Sequence, residues 1–158
     1  MSNVIHISAT TKEGRYKELI PQVKSLLNDE SDTLANMANF CAVLRELPGF
    51  FWVGFYLIKN NELVLGPFQG PVACTRIQKG KGVCGTAWKK NQCVIVEDVA
   101  RFPGHIACSS LSKSEIVIPV YTSHHEMCGV LDIDSELPAH FDKTDEQYLK
   151  ELLSFIKF

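Results

Sequence analysis

Cysteine is the residue type in this chain most able to carry out covalent chemistry. Three of the six cysteines, Cys74, Cys84 and Cys108, lie among glycines, lysines and loop signals. A nearby cation or a helix start lowers the pKa of a thiol and raises the fraction of reactive thiolate. We therefore predict that at least one of these three thiols is reactive. The other cysteines fall on a helix stripe or at strand starts and are interpreted as small core residues: Cys41, Cys93 and Cys128.

Three carboxylates form a second candidate group. In the last strand predicted, Leu131 and Ile133 point to one face, and Asp132 and Asp134 to the other. The same alternation in the preceding strand places Glu115 away from the core. A hairpin of the two strands would gather the three acids, and their repulsion requires a cation or shared protons. An ordinary solvated sheet face explains the pattern about equally well.

Two aromatic residues flank a glycine on one face of the strand predicted over residues 50–59: Trp52, Gly54 and Tyr56. The alternate residues of this strand form its predicted core face: Phe51, Val53, Phe55 and Leu57. The aromatic pair either forms the wall of a ligand pocket or packs beneath a helix, and the strand alone favours helix packing. Aromatic rings and carboxylates together suit a small cationic ligand, such as the ammonium group of a free amino acid.

Metal and phosphate sites are not supported by the residue spacing. His105 and Cys108 could be zinc ligands, but no Cys-x-x-Cys pair accompanies them. The glycines of residues 80–85 match neither a phosphate-binding loop nor a dinucleotide fingerprint. We predict no metal and no bound cofactor.

The predicted secondary structure begins and ends with helices. Pro21 is expected to kink or shorten the first helix, and Asp32 to cap the second. The second helix carries a predicted apolar stripe of Leu34, Met37, Ala38, Cys41 and Ala42. Helices are predicted over 15–27, from Asp32 to Pro48, over 86–90 and over 143–156; strands over 50–59, 63–65, 94–96, 115–121 and 127–134. The pattern predicts a single α+β domain over residues 1–158, with a mostly antiparallel sheet flanked by helices from both chain ends.

Composition narrows the class of protein. A net charge of −2 gives no reason to expect nucleic acid or an anionic membrane as partner. The apolar runs are too short for a membrane span, and the first residues lack the pattern of a signal peptide. We expect a cytoplasmic protein with reduced thiols.

Several segments match one known family: FWVGFY (51–56), GPFQG (66–70), the cysteines and glycines of 74–85, FPGHIAC (102–108), SEIVIP (114–119) and GVLDIDS (129–135). With these motifs the chain resembles the free methionine-(R)-sulfoxide reductases, small stand-alone enzymes of the GAF fold. The resemblance extends from about Tyr16 to the last helix. The GAF pattern alone is only weakly specific for this family, whereas three loop cysteines among these motifs are strongly specific for it.

The resemblance implies a role for each loop cysteine. Cys108 matches the nucleophile, which attacks the sulfoxide sulfur, releases methionine and becomes a sulfenic acid. Cys84 matches the main resolving thiol, and Cys74 a second thiol that also forms a disulfide. Thioredoxin, and NADPH indirectly, would then reduce the enzyme.

The resemblance also implies a binding site for the free amino acid. Trp52 and Tyr56 match the aromatic wall around the methyl and thioether end of the substrate. Glu115, Asp132 and Asp134 match the carboxylates that hold the ammonium, and either Glu115 or Asp134 is expected to protonate the sulfoxide oxygen. A homodimer is plausible for this fold. The alternatives are a small-molecule sensor module and a redox sensor that forms a Cys84–Cys108 disulfide without turnover.

Overall fold

A six-stranded antiparallel sheet forms the centre of the molecule in the computed structural model, which describes residues 4–158. Its strands are β1 (Trp52–Lys59), β2 (Glu62–Gln69), β3 (Arg76–Ile77), β4 (Val94–Val96), β5 (Ser114–Tyr121) and β6 (Met127–Ser135), in the spatial order β3-β2-β1-β6-β5-β4. The helices are α1 (Lys12–Leu27), α2 (Thr33–Leu44), α3 (Gly82–Lys90) and α4 (Lys143–Leu153). This architecture confirms the predicted α+β class with an antiparallel sheet.

Helices cover both faces of the sheet. α1, α2 and α4 pack with one face over the larger apolar cluster, which includes Val53, Phe55 and Ile133. α3 covers part of the opposite face and contacts β5 and β6. The prediction placed the long helices correctly, but it gave α3 no more than residues 86–90. The observed helix begins at Gly82, so Cys84 belongs to its first turn.

A buried polar network joins the helices from the two ends of the chain. The Lys12 ammonium lies 2.6 Å from the Asp145 carboxylate, and the Tyr16 hydroxyl donates a 2.6 Å hydrogen bond to the same group. Asp145 also completes a capping box at the start of α4 with Asp142. These contacts fix α1 against α4.

Two details of the helices differ from what the sequence suggested. Pro21 lies inside α1 and does not shorten it, because the helix buries one face at Tyr16, Leu19, Val23 and Leu27, and this packing outweighs one lost backbone hydrogen bond. The apolar stripe of α2 is rotated from the predicted one. Its buried residues are Asn36, Met37, Phe40, Cys41, Val43 and Leu44. Leu34 is 63% exposed.

The hairpin β1–β2 turns at Asn60 and Asn61, as predicted, and both residues have positive φ angles of 50° and 61°. Asparagine tolerates this left-handed conformation better than most residues, which suits a two-residue hairpin turn. β2 then runs to Gln69, well beyond the predicted end at Leu65. Across the residues described, 4–158, no helix combines the length and apolar character needed to cross a membrane.

Candidate active site

A cavity opens on the face of the sheet that α3 partly covers. It holds about 580 Å³ of empty space, part of it open to solvent. Strands β1, β5 and β6 form its floor, the start of α3 forms one side, and two loops before β3 and β5 form its mouth. The cavity is lined by Phe51, Trp52, Tyr56, Pro71, Val72, Ala73, Ile77, Gly82, Val83, Cys84, His105, Ile106, Cys108, Ser109, Ser112, Glu115, Asp132 and Asp134.

The three predicted carboxylates meet on the floor of this cavity. In the β5–β6 hairpin Glu115 lies directly opposite Asp134, and in the β1–β6 pair Asp134 lies opposite Trp52. Asp132 follows two residues earlier on the same face of β6. Glu115 and Asp132 are only 5% and 6% exposed. The alternation of the sequence therefore placed the acids correctly, and the alternative of a solvated sheet face is excluded for these two.

Burial and mutual repulsion make these carboxyl groups weak acids. The pKa of Glu115 is raised well above its ordinary value, first by burial and then by the charges of Asp132 and Asp134. Burial also raises the pKa of Asp134 well above its ordinary value, although a hydrogen bond from Ser112 opposes the rise. Burial raises the pKa of Asp132 to about 6, and the nearby proton donors Glu115 and Cys84 oppose the rise.

Asp132 also contains an unsatisfied atom. Its Oδ1 is buried and has no hydrogen-bond partner. In the part of the chain that the structure describes, every other buried side-chain oxygen or nitrogen has one. A buried carboxylate oxygen without a donor costs free energy, because the water it has lost is not replaced. The cavity is thus prepared for a ligand that donates hydrogen bonds or carries positive charge.

The aromatic pair forms one wall of the cavity and holds a loop at its mouth. The rings of Trp52 and Tyr56 stack with centroids 6.0 Å apart. The Trp52 indole donates a 3.0 Å hydrogen bond to the carbonyl of Pro71, and the Tyr56 hydroxyl donates one of 2.9 Å to the carbonyl of Cys74. Both rings also belong to the apolar cluster beneath α3. The pair therefore packs beneath α3, as one interpretation predicted, and it also lines the cavity, as the other interpretation requires.

Phe51 lies on the side opposite to the one predicted. The strand begins at Trp52, so Phe51 precedes the regular alternation. Its side chain packs with the cluster beneath α3 and lines the cavity. Parity along a strand applies only from the residue at which the strand starts.

Cys84 lies inside the cavity and is a free thiol. It is 3% exposed, and its Sγ is 4.0 Å from Glu115 Oε1, to which it donates a long hydrogen bond. Burial, followed by the charges of Asp132 and Glu115, raises its pKa well above the ordinary value. The expectation that cations and a helix start would favour a thiolate is therefore wrong for this cysteine.

Cys74 and Cys108 form a disulfide across the mouth of the cavity, with their Cα atoms 5.8 Å apart. Cys108 is exposed and lines the cavity, whereas Cys74 is partly exposed, belongs to the loop held by Tyr56 and does not line the cavity. The structure therefore brings together two of the three predicted loop thiols at a place that a second protein could reach. Cys84 lies below them.

The loop between β4 and β5 supplies residues that the sequence did not indicate as part of the site. His105 lines the cavity, and its Nε2 is 3.9 Å from Glu115 Oε2. Burial lowers the pKa of this imidazole. Ser112, 9% exposed, lies beside Asp134. No spacing signal marks Ser112, and His105 was noted only as a weak zinc candidate.

The lysines and arginine near the loop cysteines do not face the cavity. Arg76 pairs with Glu62 at 2.9 Å, and the Lys79 ammonium lies over the ring of Trp88 at 5.0 Å. Among the residues described, neither these two nor Lys81, Lys89 or Lys90 line the cavity. The charge of the site is set by the carboxylates.

The arrangement combines a cysteine pair of which Cys108 is exposed, a buried acid able to give up a proton and a carboxylate oxygen without a hydrogen-bond partner. Such a site can bind a small ammonium-bearing molecule, protonate an oxygen on it and complete a two-electron thiol–disulfide change. Among the residues described, one group of side chains is close enough together to hold a metal ion: Cys84, Glu115 and Asp132.

Comparison with known proteins gives one consistent family. Residues 32–158 match the family model described as "GAF domain". The chain is 55% identical over 157 residues to GAF domain-containing protein A of Dictyostelium discoideum, with 99% of each chain covered. It is 47% identical over 140 residues to free methionine-R-sulfoxide reductase of Escherichia coli, with 88% of this chain and 84% of the relative covered.

A solved structure agrees closely in fold as well as in sequence. The X-ray structure of free methionine-R-sulfoxide reductase from Neisseria meningitidis, in complex with its substrate, superimposes with a TM-score of 0.94 at 53% identity. The alignment covers 99% of this chain and 94% of that one.

Proposed function

Because the chain belongs to the GAF-domain family of free methionine-R-sulfoxide reductases and is an enzyme of that kind, we propose that it reduces free L-methionine-(R)-sulfoxide to methionine through a thiol cycle. The observation that carries this proposal is that one cavity is lined both by exposed Cys108, which is joined to Cys74, and by a buried carboxylate cluster. The family assignment supplies the substrate, and the cavity supplies the groups for the reaction.

Asp132 and its neighbours bind the ammonium of the substrate. At neutral pH a carboxyl group with a pKa of about 6 is mostly ionised, so Asp132 carries charge, and its Oδ1 lacks a donor. An ammonium group provides both the positive charge and the missing hydrogen bond. A methionine sulfoxide inside a polypeptide has no such group, so the cavity selects the free amino acid.

Glu115 is the proton donor to the sulfoxide oxygen. Its pKa is raised well above the ordinary value, first by burial and then by the charges of Asp132 and Asp134, which favours its protonated form. Two carboxyl groups whose environments separate their pKa values can divide the roles of acid and charge partner. Asp134 is the weaker candidate because Ser112 donates to it and stabilises its ionised form.

Cys108 is the nucleophile. It lines the cavity at the mouth, on the side opposite the buried acids. Its thiolate attacks the sulfoxide sulfur, the oxygen takes a proton, and methionine leaves while Cys108 becomes a sulfenic acid. The substrate gains two electrons and the Cys108 sulfur loses two.

The sulfenic acid is resolved by a second thiol with loss of water. Cys74 condenses with it to give the disulfide found in the structure. The resemblance assigned the main resolving role to Cys84, but its burial and high pKa make Cys84 the less favourable thiolate. We therefore give the main role to Cys74 and keep Cys84 as an alternative thiol.

Thioredoxin is the proposed reductant, with NADPH as the indirect electron source. The disulfide can be attacked from outside because Cys108 is exposed. Thiol exchange at an accessible sulfur returns both cysteines to thiols. A reducing compartment such as the cytoplasm fits this cycle. Homodimer formation stays a prediction from the fold.

The experiment is a thioredoxin-coupled assay of NADPH consumption with free L-methionine-(R)-sulfoxide, run beside the S epimer and a peptide containing methionine sulfoxide. We expect turnover with the free R epimer alone and none in Cys108→Ser. Cys74→Ser should release about one methionine per enzyme and then stop, whereas Cys84→Ser should continue to cycle.

Each alternative predicts a different outcome. A sensor module would bind the amino acid without consuming NADPH. A redox sensor would form a disulfide with peroxide but leave the sulfoxide unreduced. Equal activity on the peptide would contradict the role given to the ammonium, and cycling by Cys74→Ser but not by Cys84→Ser would restore Cys84 as the main resolving thiol.

A further inference from the structure

One cluster in the cavity has the composition of a metal site. Single ligand atoms of Cys84, Glu115 and Asp132 all lie within 4.8 Å of one another. The three residues come from α3, β5 and β6 and are all buried. Because rigid elements hold them, they converge without any spacing motif in the sequence.

A second observation points into the same cluster. Asp132 is 6% exposed, and its Oδ1 is buried without a hydrogen-bond partner among the residues described. His105 lies outside this group of three, although its Nε2 is 3.9 Å from Glu115 Oε2. Thiolate and carboxylate groups are both ligand types of zinc.

We propose that Cys84, Glu115 and Asp132 bind a thiophilic divalent cation of the Zn²⁺ type, with the fourth position left to solvent, and that this ion inhibits the enzyme reversibly. The ion replaces the proton of the Cys84 thiol and any proton held on the carboxyl groups, so binding releases protons and changes no oxidation state. Two carboxylates and one thiolate carry three negative charges against the two positive charges of the ion.

The distances allow such a site after a small adjustment. With Zn–S of about 2.3 Å and Zn–O of about 2.0 Å, tetrahedral geometry places sulfur and oxygen about 3.5 Å apart. Cys84 Sγ and Glu115 Oε1 are 4.0 Å apart. A shift of about 0.5 Å lies within the range of side-chain torsion changes.

The proposed metal site does not use the sulfur atoms of Cys74 or Cys108. Cys84 is a free thiol while Cys74 and Cys108 are joined. The cation therefore binds the disulfide form of the protein as well as the reduced form. Inhibition is competitive because the ion occupies Asp132, and only this part of the inference rests on the proposed function.

The test uses Co²⁺ as a spectroscopic probe and Zn²⁺ as its competitor on metal-free, disulfide-form protein. We expect one equivalent of Co²⁺ to produce the near-ultraviolet charge-transfer band of a thiolate ligand, and one equivalent of Zn²⁺ to remove it. Cys84→Ser should lose the band, and Asp132→Asn should weaken binding at least tenfold. Circular dichroism verifies that each variant is folded.

Cys93→Ser is the matched control. Cys93 is a partly exposed thiol near the Glu146 carboxylate but outside the cavity, and its variant should bind Co²⁺ as the wild type does. No thiolate band in the wild type, a band that persists in Cys84→Ser, or a band that requires reduction of the disulfide would each overturn the site.

Inhibition is measured separately. In the thioredoxin-coupled assay, Zn²⁺ should raise the apparent KM for the sulfoxide at constant kcat, and a chelator should reverse the effect. A thioredoxin-independent assay of methionine release excludes an effect on the reductant. Metal binding without competition would overturn the inhibition alone. If the substrate is not turned over at all, the Co²⁺ titration still decides the site.

Discussion

Replacing Asp132 by asparagine tests the electrostatic account of the cavity. Asp132 is 6% exposed, and burial raises its pKa from an ordinary value of 3.8 to about 6. Asparagine keeps the shape but cannot ionise. In the ligand-free protein, Asp132→Asn should therefore become more stable relative to the wild type as the pH rises.

The magnitude follows from the difference between the two pKa values. Between pH 4 and 6 the folded protein holds the Asp132 proton more tightly than the unfolded chain, so the free energy of unfolding falls as the pH rises. A difference of about two units, at 1.36 kcal/mol each, gives about 3 kcal/mol as an upper limit. The contribution of protonated Asp132 to the free energy of unfolding is fully present below about pH 4 and lost above about pH 6.

The assay is urea unfolding between pH 4 and 8 on disulfide-form protein with a chelator present. The quantity compared is the gap in unfolding free energy between Asp132→Asn and wild type, because replacing one side chain by another adds a pH-independent offset. Asp29→Asn makes the same chemical change at an exposed position and serves as the control.

The titration of Asp132 alone should make the difference in unfolding free energy grow in favour of Asp132→Asn across pH 4 to 6, by up to about 3 kcal/mol. Removing the Asp132 charge also lowers the pKa values of Glu115 and Asp134, and their titration widens the difference in the same direction. A gap that does not change with pH, or one that grows in favour of the wild type as the pH rises, would refute the burial argument.

Two other replacements test how the site residues are positioned, and a third tests whether a cysteine outside the cavity takes part in the reaction. Tyr56→Phe removes a 2.9 Å hydrogen bond to the Cys74 carbonyl; a loss of about 1 kcal/mol should slow disulfide formation by roughly fivefold, measured by rapid quenching and thiol labelling. A Cβ at Gly54 would collide with the Trp52 ring, so Gly54→Ala should destabilise the fold by about 1–3 kcal/mol and raise KM, measured by urea unfolding and steady-state kinetics. Cys93→Ser should leave turnover unchanged and stability within about 1 kcal/mol, and loss of turnover in the folded variant would give this thiol a role.

Strand alternation was the most informative signal in the sequence. It placed Glu115 and Asp132 on the non-core face, because side chains on a regular strand must alternate and the core face was clearly apolar. It failed at Phe51, where the strand has not yet begun. Local patterns predict geometry inside an element better than at its ends.

Features set by tertiary contacts were not predictable in the same way. The sequence of α2 has apolar residues on more than one side, so several of them could have faced the core. Which side is buried depends on how the helix lies on the sheet. The choice between Cys74 and Cys84 as the partner of Cys108 depends on two loops meeting across the cavity. The high pKa of Cys84 comes first from burial and then from the charges of acids on β5 and β6, and spacing along α3 reveals neither.

The disulfide across the mouth of the cavity has a consequence for the kinetics. In the proposed cycle, Cys108 cannot be joined to Cys74 and attack a sulfoxide at the same time, so methionine formation and reduction by the second substrate would alternate on one pair of sulfurs. The enzyme should follow a double-displacement scheme, with parallel lines in double-reciprocal plots when both substrates are varied. The reduced form then reacts only with the sulfoxide, and the disulfide form only with the reductant. The reductant concentration therefore limits the turnover rate whenever the sulfoxide is abundant.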